Sequence, residues 1–326
     1  MTRVSVALAT CNGEAFLAEQ LESLAAQTLP PYEVVISDDA SDDRTLEIAR
    51  SWAGRLPLRI QANARRLGFR DNFLQAVNLC SGDVIALCDQ DDVWLPRKLE
   101  TCVERLERDD ALLAMHALTT TDAQLQPIGA IERPDAVHKP LSLLAYPGGA
   151  YGLAMVFRRE LRDLLDPRHR PPDPLRRSER MAHDTWYLLV ASIFGKIATI
   201  AEPLVLYRQH GRNAYGAGLG RATSADRNPF DSAEAHATRA RYCHEVADFL
   251  AAQHGPARAV AHYGKLARQY DARTELYGAP SAASRLAAFL RLAADGGYAL
   301  TLRGRMGLPA LAKDLSVGVT RVLART

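Results

Sequence analysis

Gly82-Asp83-Val84-Ile85-Ala86-Leu87-Cys88-Asp89-Gln90-Asp91-Asp92-Val93-Trp94 is the stretch on which the reading of this chain turns. The apolar run Val84–Cys88 has the composition of a buried strand, and it ends abruptly in three carboxylates within four residues. Carboxylates that close together repel one another unless something positive sits among them. A hard divalent cation with oxygen ligands is the natural partner, and magnesium or manganese prefers one or two carboxylates plus phosphate oxygens. The bland alternative is a solvated acidic turn capping the helix that begins near Pro96.

What lies upstream argues against the bland alternative. Val4–Ala9 reads as a strand ended by Thr10-Cys11-Asn12-Gly13. The apolar spacing of Phe16, Leu17, Leu21, Leu24 and Ala25 predicts a helix over Glu14–Ala26, stopped by Pro30-Pro31. Glu33–Ser37 is a second strand, ended by Asp38-Asp39, and Thr45–Trp52 a second helix capped by Ser41 or Asp42. Leu58–Gln61 is a weaker strand, and a third helix falls between Gly68 and Cys80. This alternation predicts an α/β fold, a mostly parallel sheet with helices on both faces. Ligands of such sheets bind beyond the carboxyl ends of the strands. The clusters at Thr10–Gly13, Asp38-Asp39 and Asp89–Asp92 would therefore meet on one edge.

Downstream, Leu112–Leu118 and Leu153–Phe157 read as strands, with Gly148-Gly149 and Gly152 flanking the loop before the latter. Arg168–Arg177 is a Pro- and Arg-rich loop, Asp184–Phe194 a helix, Ile197–Ile200 and Leu204–Arg208 two short strands, and Gly211–Asn228 a loop. From Ala233 the pattern is helical and Ala-rich. The expected division is a catalytic domain over residues 1–230 and a helical C-terminal extension over 231–326.

Bulk properties narrow the function. The 326 residues carry a formal net charge of only +2, which gives no basic field for nucleic acid. The five cysteines form no CxxC pair, so neither a disulfide framework nor a cysteine zinc site is expected. No GxGxxG follows the first strand and no GxxxxGK[ST] occurs, which speaks against dinucleotide and P-loop folds. Without a signal-peptide pattern or an apolar run of about 20 residues, the expectation is a cytoplasmic protein. Arg285, Arg291, Arg303, Arg305, Lys313, Arg321 and Arg325 stand against Asp295 and Asp314 near the C-terminus, beside Leu286, Phe289, Leu290 and Leu292. That makes the segment a candidate for peripheral contact with the inner face of the cell membrane; a helix packed on the rest of the chain is the alternative.

As an ordered set these stretches, with Asn63 and Leu67-Gly68-Phe69, resemble the inverting family 2 glycosyltransferases of GT-A fold. His183-Asp184-Thr185-Trp186 and Tyr207-Arg208-Gln209-His210-Gly211-Arg212-Asn213 are similar to the branch that includes bacterial rhamnosyltransferases of surface polysaccharide assembly. The resemblance covers about residues 3–215. It implies a nucleoside-diphosphate sugar donor (dTDP- or UDP-linked, with L-rhamnose the favoured sugar), a saccharide or lipid-linked acceptor, and Mg²⁺ or Mn²⁺. By the same resemblance Thr10, Asn12 and Glu14 line the nucleotide pocket and Asp39 contacts the base, while Asp89 and Gln90 sit on the donor side. Arg66 would touch the diphosphate, or belong to a solvated surface pair with Arg65. Asp91 is the implied metal ligand, His210 a late ligand, and Asp184 the catalytic base, where many relatives carry Glu-Asp rather than His-Asp. Trp94, Trp186 and His183 are expected on the acceptor side, with plain core packing the alternative for the tryptophans. Ala40 departs from a common Gly and Cys11 from a frequent Tyr. Competing readings are a non-catalytic nucleotide- or sugar-binding module and a DxDx[TV] phosphohydrolase, in which Asp89 would be the nucleophile.

Overall fold

The computed structural model describes residues 2–143, 150–211, 232–298 and 307–319. Outside them lie Gly148-Gly149, the loop expected after Gly211, the expected domain boundary at 230/231, and Arg303, Arg305, Arg321 and Arg325. The chain divides into two compact units, one of residues 1–170 with 180–219 and one of residues 171–179 with 220–326.

The first unit alternates strand and helix as its periodicity predicts. Its elements run β1 (Val4–Thr10), α1 (Leu17–Ala25), β2 (Glu33–Asp38), α2 (Thr45–Ser51), β3 (Leu58–Ala62), α3 (Phe69–Leu79), β4 (Val84–Cys88), β5 (Val93–Trp94) and α4 (Lys98–Arg108). Then come β6 (Leu113–Thr121), β7 (Pro127–Ile131), β8 (Ala136–His138), β9 (Met155–Arg158), α5 (Glu160–Asp163), α6 (His183–Phe194) and β10 (Ile197–Arg208). All ten strands lie in one sheet of order β3-β2-β1-β4-β9-β6-β10-β5, with β7 added on β6 and β8 on β10. The half β3-β2-β1-β4 is parallel throughout. β6 and β10 are also parallel, and β9 joins the two halves by antiparallel pairing to β4 and β6.

Every residue of β1, β2 and β4 is buried. Such near-continuous burial is the mark of parallel strands covered on both faces. α1 turns Leu17, Leu21 and Leu24 inward, and α4 turns Leu99, Cys102, Val103 and Leu106 inward. From β1 the chain steps to β2 and β3 on one side, and β4 then returns to the other. The sheet therefore has a topological switch point at β1/β4, where a crevice opens beyond the strand ends.

Two features depart from the expectation. The stretches Ile197–Ile200 and Leu204–Arg208 are one strand, β10, with irregular register on either side of Pro203. Proline has no N–H for the ladder, so the strand bulges there instead of ending. The β6–β7 hairpin was not expected. It is closed by an Asp122 turn in which Oδ1 accepts the N–H of Gln124 and of Gln126, each at 2.9 Å.

The second unit contains α7 (Ala233–Ala252), α8 (Ala257–Gly278), α9 (Ala282–Ala294) and α10 (Gly307–Lys313). α7 packs along α8, and α8 along α9. Arg177 reaches Glu245 at 2.5 Å, tying residues 171–179 to α7. Asp314 accepts from Tyr277 at 2.8 Å, Tyr298 at 2.9 Å and Arg273 at 3.1 Å, anchoring the end of the unit. Among the described residues no helix is long and apolar enough to cross a membrane.

Candidate active site at the carboxyl edge of the sheet

β4 delivers Asp89 to the switch point. Gln90 then closes on β1: its Oε1 accepts the Cys11 N–H at 2.8 Å and its Nε2 donates to the Cys11 carbonyl at 3.0 Å. A Cβ on Gly13 would lie 2.3 Å from Gln90 Oε1, so this clasp requires glycine there. Asp92 is fully buried and its Oδ1 accepts the Arg208 N–H at 3.0 Å, which fixes the end of β10 to the same turn. The Arg208 guanidinium is itself buried. It donates to the Asp91 carbonyl at 2.8 Å, to the Ala123 carbonyl at 2.6 Å and to Glu19, and lies over the Phe16 ring. Two residues on, His210 Nε2 meets Asp91 Oδ2 at 2.9 Å, with its ring stacked on Phe16 at 4.7 Å. The two residues assigned to a metal from the sequence are therefore adjacent, though 119 positions apart.

The electrostatics of the edge follow from this crowding. Burial pushes the Asp89 carboxyl up to about 7, and the charges of Asp91 and Asp184 push it the same way. Asp184 thus stands within reach of the cluster from the first turn of α6, where its Oδ1 accepts the Thr185 N–H at 2.6 Å. Asp92 is raised well above the ordinary range, mainly by burial and then by Asp91 and Asp89. Beneath the acids lies Lys98, fully buried, its Nζ 3.2 Å from the Trp94 ring centroid and donating to the Leu153 carbonyl at 2.7 Å. Burial brings its ammonium down to about 8 against the pull of Cys88, Cys102, Asp92 and Asp89. Neither Lys98 nor the guanidinium of Arg208 was given a role from sequence. The available signal for Lys98 was its place four residues after Trp94, on the inward face of a helix.

The side expected to hold the donor is a pair of interlocked loops. Asn12, at φ 50°, accepts the Asp42 N–H on Oδ1 at 3.0 Å, and its own N–H goes to Ser41 Oγ at 2.9 Å. Glu14 is exposed and caps the start of α2 by accepting the Arg44 N–H at 3.1 Å. Ala40 takes φ 55°, the left-handed conformation that explains why glycine is common at this place. Arg66 is exposed, with its guanidinium 3.9 Å from Asp42.

Several expected contacts are corrected. Thr10 is buried and its hydroxyl donates to Asp38 at 2.8 Å, so its side chain shapes the loop. Gln90 has both ends of its amide on Cys11. Asp39 is buried, and its carboxylate accepts the N–H groups of Leu67 at 2.6 Å and Gly68 at 2.9 Å, so it ties the end of β2 to the turn into α3. Trp94 and Trp186, at 2% and 1% exposure, are core residues and form no acceptor wall. Their large apolar rings are drawn under the sheet edge by the same burial that would have suited a sugar face. His183 is also withdrawn, stacked on Phe73 with ring centroids 3.9 Å apart.

The residues present fit a divalent cation. Asp91 and Asp89 offer hard oxygen donors, His210 an imidazole, and the repulsion that raises Asp89 is what a cation would relieve. Among the described residues no three such side chains form a ready-made cage. A cation here would need substrate phosphate oxygens to complete its shell.

Comparison with known structures identifies the class. The fold is that of crystallised Staphylococcus aureus TarS (residues 1–349, complex with UDP-GlcNAc), with TM-score 0.58 and 16% identity over 99% of this chain and 83% of that one. Switch point, mixed sheet and acidic strand end together define the GT-A fold. Residues 5–161 match the model of glycosyl transferase family 2. An uncharacterized glycosyltransferase of Nostoc sp. is 31% identical over 224 residues, 65% of this chain and 66% of its own length. An uncharacterized protein of Mycobacterium tuberculosis is 28% identical over 72% of this chain and 65% of its own length. This chain thus spans just under two thirds of these relatives. A dTDP-rhamnosyl transferase of Shigella flexneri, RfbG, is 33% identical over 110 residues, 32% of this chain and 38% of its own length.

Proposed function

We propose that this chain is a metal-dependent inverting glycosyltransferase that moves a sugar from a nucleoside diphosphate to a hydroxyl of a saccharide or lipid-linked saccharide. The carrying observation is the convergence of Asp89, Asp91, His210 and Asp184, from three separate stretches, on the crevice beyond β4. Asp91 and His210 would hold Mg²⁺ or Mn²⁺, with Asp89 beside them, and Arg66 would approach the diphosphate from the solvent side. The bound cation would supply neutralisation of charge on the leaving diphosphate. Asp184 takes the proton of the acceptor hydroxyl as general base. The oxygen forms its bond to the anomeric carbon as the bond to the diphosphate oxygen breaks on the opposite face, so configuration inverts in one displacement. L-Rhamnose on dTDP is the donor we favour, supported by the sequence resemblance and by the partial match to the Shigella rhamnosyltransferase; UDP-linked sugars come next.

Asp184→Asn keeps shape and removes the base. We expect turnover to fall by about 10²–10⁴-fold while donor affinity stays near that of the wild type. Undiminished turnover in Asp184→Asn would remove the base assignment. The same proposal extends to peripheral membrane contact through the C-terminal unit. α9 carries no acidic residue and leaves Leu286 and Leu290 exposed one turn apart. Co-sedimentation with anionic phosphatidylglycerol vesicles, lost in Leu286→Ser/Leu290→Ser, is the expected result; equal sedimentation of both proteins would contradict it.

A further inference from the structure

The segment that leads into α6 is held from two sides by α3. Arg170 is buried, with a side chain only 3% exposed, and three of its nitrogens have separate duties. Nη2 donates to Asp71 Oδ1 on α3 at 2.6 Å, Nε to the Met181 carbonyl at 2.7 Å, and Nη1 to the Pro167 carbonyl at 3.0 Å. Met181 stands immediately before Ala182, the residue that precedes α6. One residue further, the His183 ring stacks on Phe73 of α3 with 15° between planes, and meets Phe69 edge-on at 6.2 Å. His183 Nδ1 has no hydrogen-bond partner. The imidazole is neutral here, brought down to about 3 by burial and by the nearby Arg170 and Arg70. Its contribution is therefore shape and stacking. Gly152 makes room for the ring, since a Cβ there would lie 2.9 Å from His183 Nε2.

The same N-terminal end of α3 borders the loop proposed to hold the donor. Asp39 holds the N–H groups of Leu67 and Gly68, and Gly68, at φ 83°, is where the chain turns into α3. One rigid helix thus touches the donor loop at its first residue and the approach to Asp184 within its first five. We propose that Arg170, Asp71, Phe73 and His183 are positioning residues, a brace by which α3 fixes the Asp184 carboxylate relative to the donor pocket. This rests on the reading of Asp184 as general base. A base displaced by about 1 Å loses much of its effect without any change in substrate binding. The brace thus acts on turnover and leaves donor affinity alone.

Asp71 is half exposed, so Asp71→Asn removes the charge partner of Arg170 without opening the core. The probes are dTDP-L-rhamnose and UDP-glucose with Mn²⁺, followed by release of nucleoside diphosphate. The expected result for Asp71→Asn and Phe73→Leu is a fall in kcat of about tenfold or more, with donor KM within about twofold of wild type. Asp71→Glu should restore most of the loss. A second readout is independent of the donor: in ligand-free protein, amide exchange at Trp186–Leu188 should quicken about tenfold in Asp71→Asn, while β1 and β4 stay protected. Unchanged kcat and unchanged exchange would overturn the brace. So would a loss that tracks global melting in every strand. Asp184→Asn is run beside these variants. If it retains full turnover, the base reading has failed; if it is inactive while Asp71→Asn and Phe73→Leu are not, the brace alone has failed.

Discussion

Asp89 shows how one residue carries both the chemistry and the cost of the site. Its ordinary pKa is 3.8 and burial beside Asp91 and Asp184 raises it to about 7. The folded chain therefore holds a proton that the unfolded chain has released, across the window between those two values. More protons bound in the folded state means that stability falls as pH rises through the window. The share of stability contributed by Asp89 should be larger at pH 5 than at pH 7, with a slope of up to ~1.4 kcal/mol per pH unit for one proton. His183 acts in the opposite sense below its ordinary 6.5, because it is neutral when folded and protonated when unfolded. Asp89→Asn should accordingly make stability fall less with rising pH than in the wild type, Asp92 keeping its own share in the original sense, as melting curves from pH 5 to 7 will show; a variant with the wild-type slope contradicts this account. At this scale the acidic cluster at the end of β4 was legible from the strand pattern, whereas Asp184, in the first turn of a helix, and His210 were singled out through the family resemblance. Trp94, Trp186 and His183 were misassigned, since an aromatic ring serves a core and a sugar wall equally well and sequence does not report burial. Lys98 and Arg208 were missed because a cation is read as surface until its carboxylates and carbonyls are seen around it.

At the scale of elements, β1 and β4 are the pair on which the edge depends. Gly82, just before β4, donates its N–H to Ser5 Oγ at 2.8 Å, and Ser5 in turn donates to Glu33 on β2 at 2.6 Å. A Cβ on Gly82 would lie 2.7 Å from the Arg3 carbonyl and 2.9 Å from the Ser5 nitrogen. Those are backbone atoms and cannot swing aside. Gly82→Ala should therefore cost about 1–3 kcal/mol in denaturant unfolding, the usual range for overpacking. A change below about 0.5 kcal/mol would mean that β4 can slide on β1 at no expense. The helices and parallel strands of this half were readable because each follows one clean period. β10 was read as two strands because Pro203 breaks its ladder without breaking its course. The β6–β7 hairpin escaped because its turn is built by the Asp122 side chain instead of a glycine pair.

For the whole molecule, the α/β architecture and the carboxyl edge were foreseeable from the order of elements alone. The boundary between units was less so, since residues 171–179 join the second unit and leave the first across a short loop. Composition marks long Ala-rich helices but does not mark which unit adopts a nine-residue loop. The central claim is that this edge binds a nucleoside diphosphate through a cation held by Asp91. Calorimetric titration of dTDP and of UDP into the wild type and Asp91→Ala, each with and without Mn²⁺, tests it most directly. The account predicts that one nucleotide binds only with Mn²⁺ and that Asp91→Ala loses this by about 100-fold or more, in keeping with a cation that needs both protein carboxylate and phosphate oxygens. Equal binding with and without Mn²⁺, or equal binding by wild type and a folded Asp91→Ala, would contradict it.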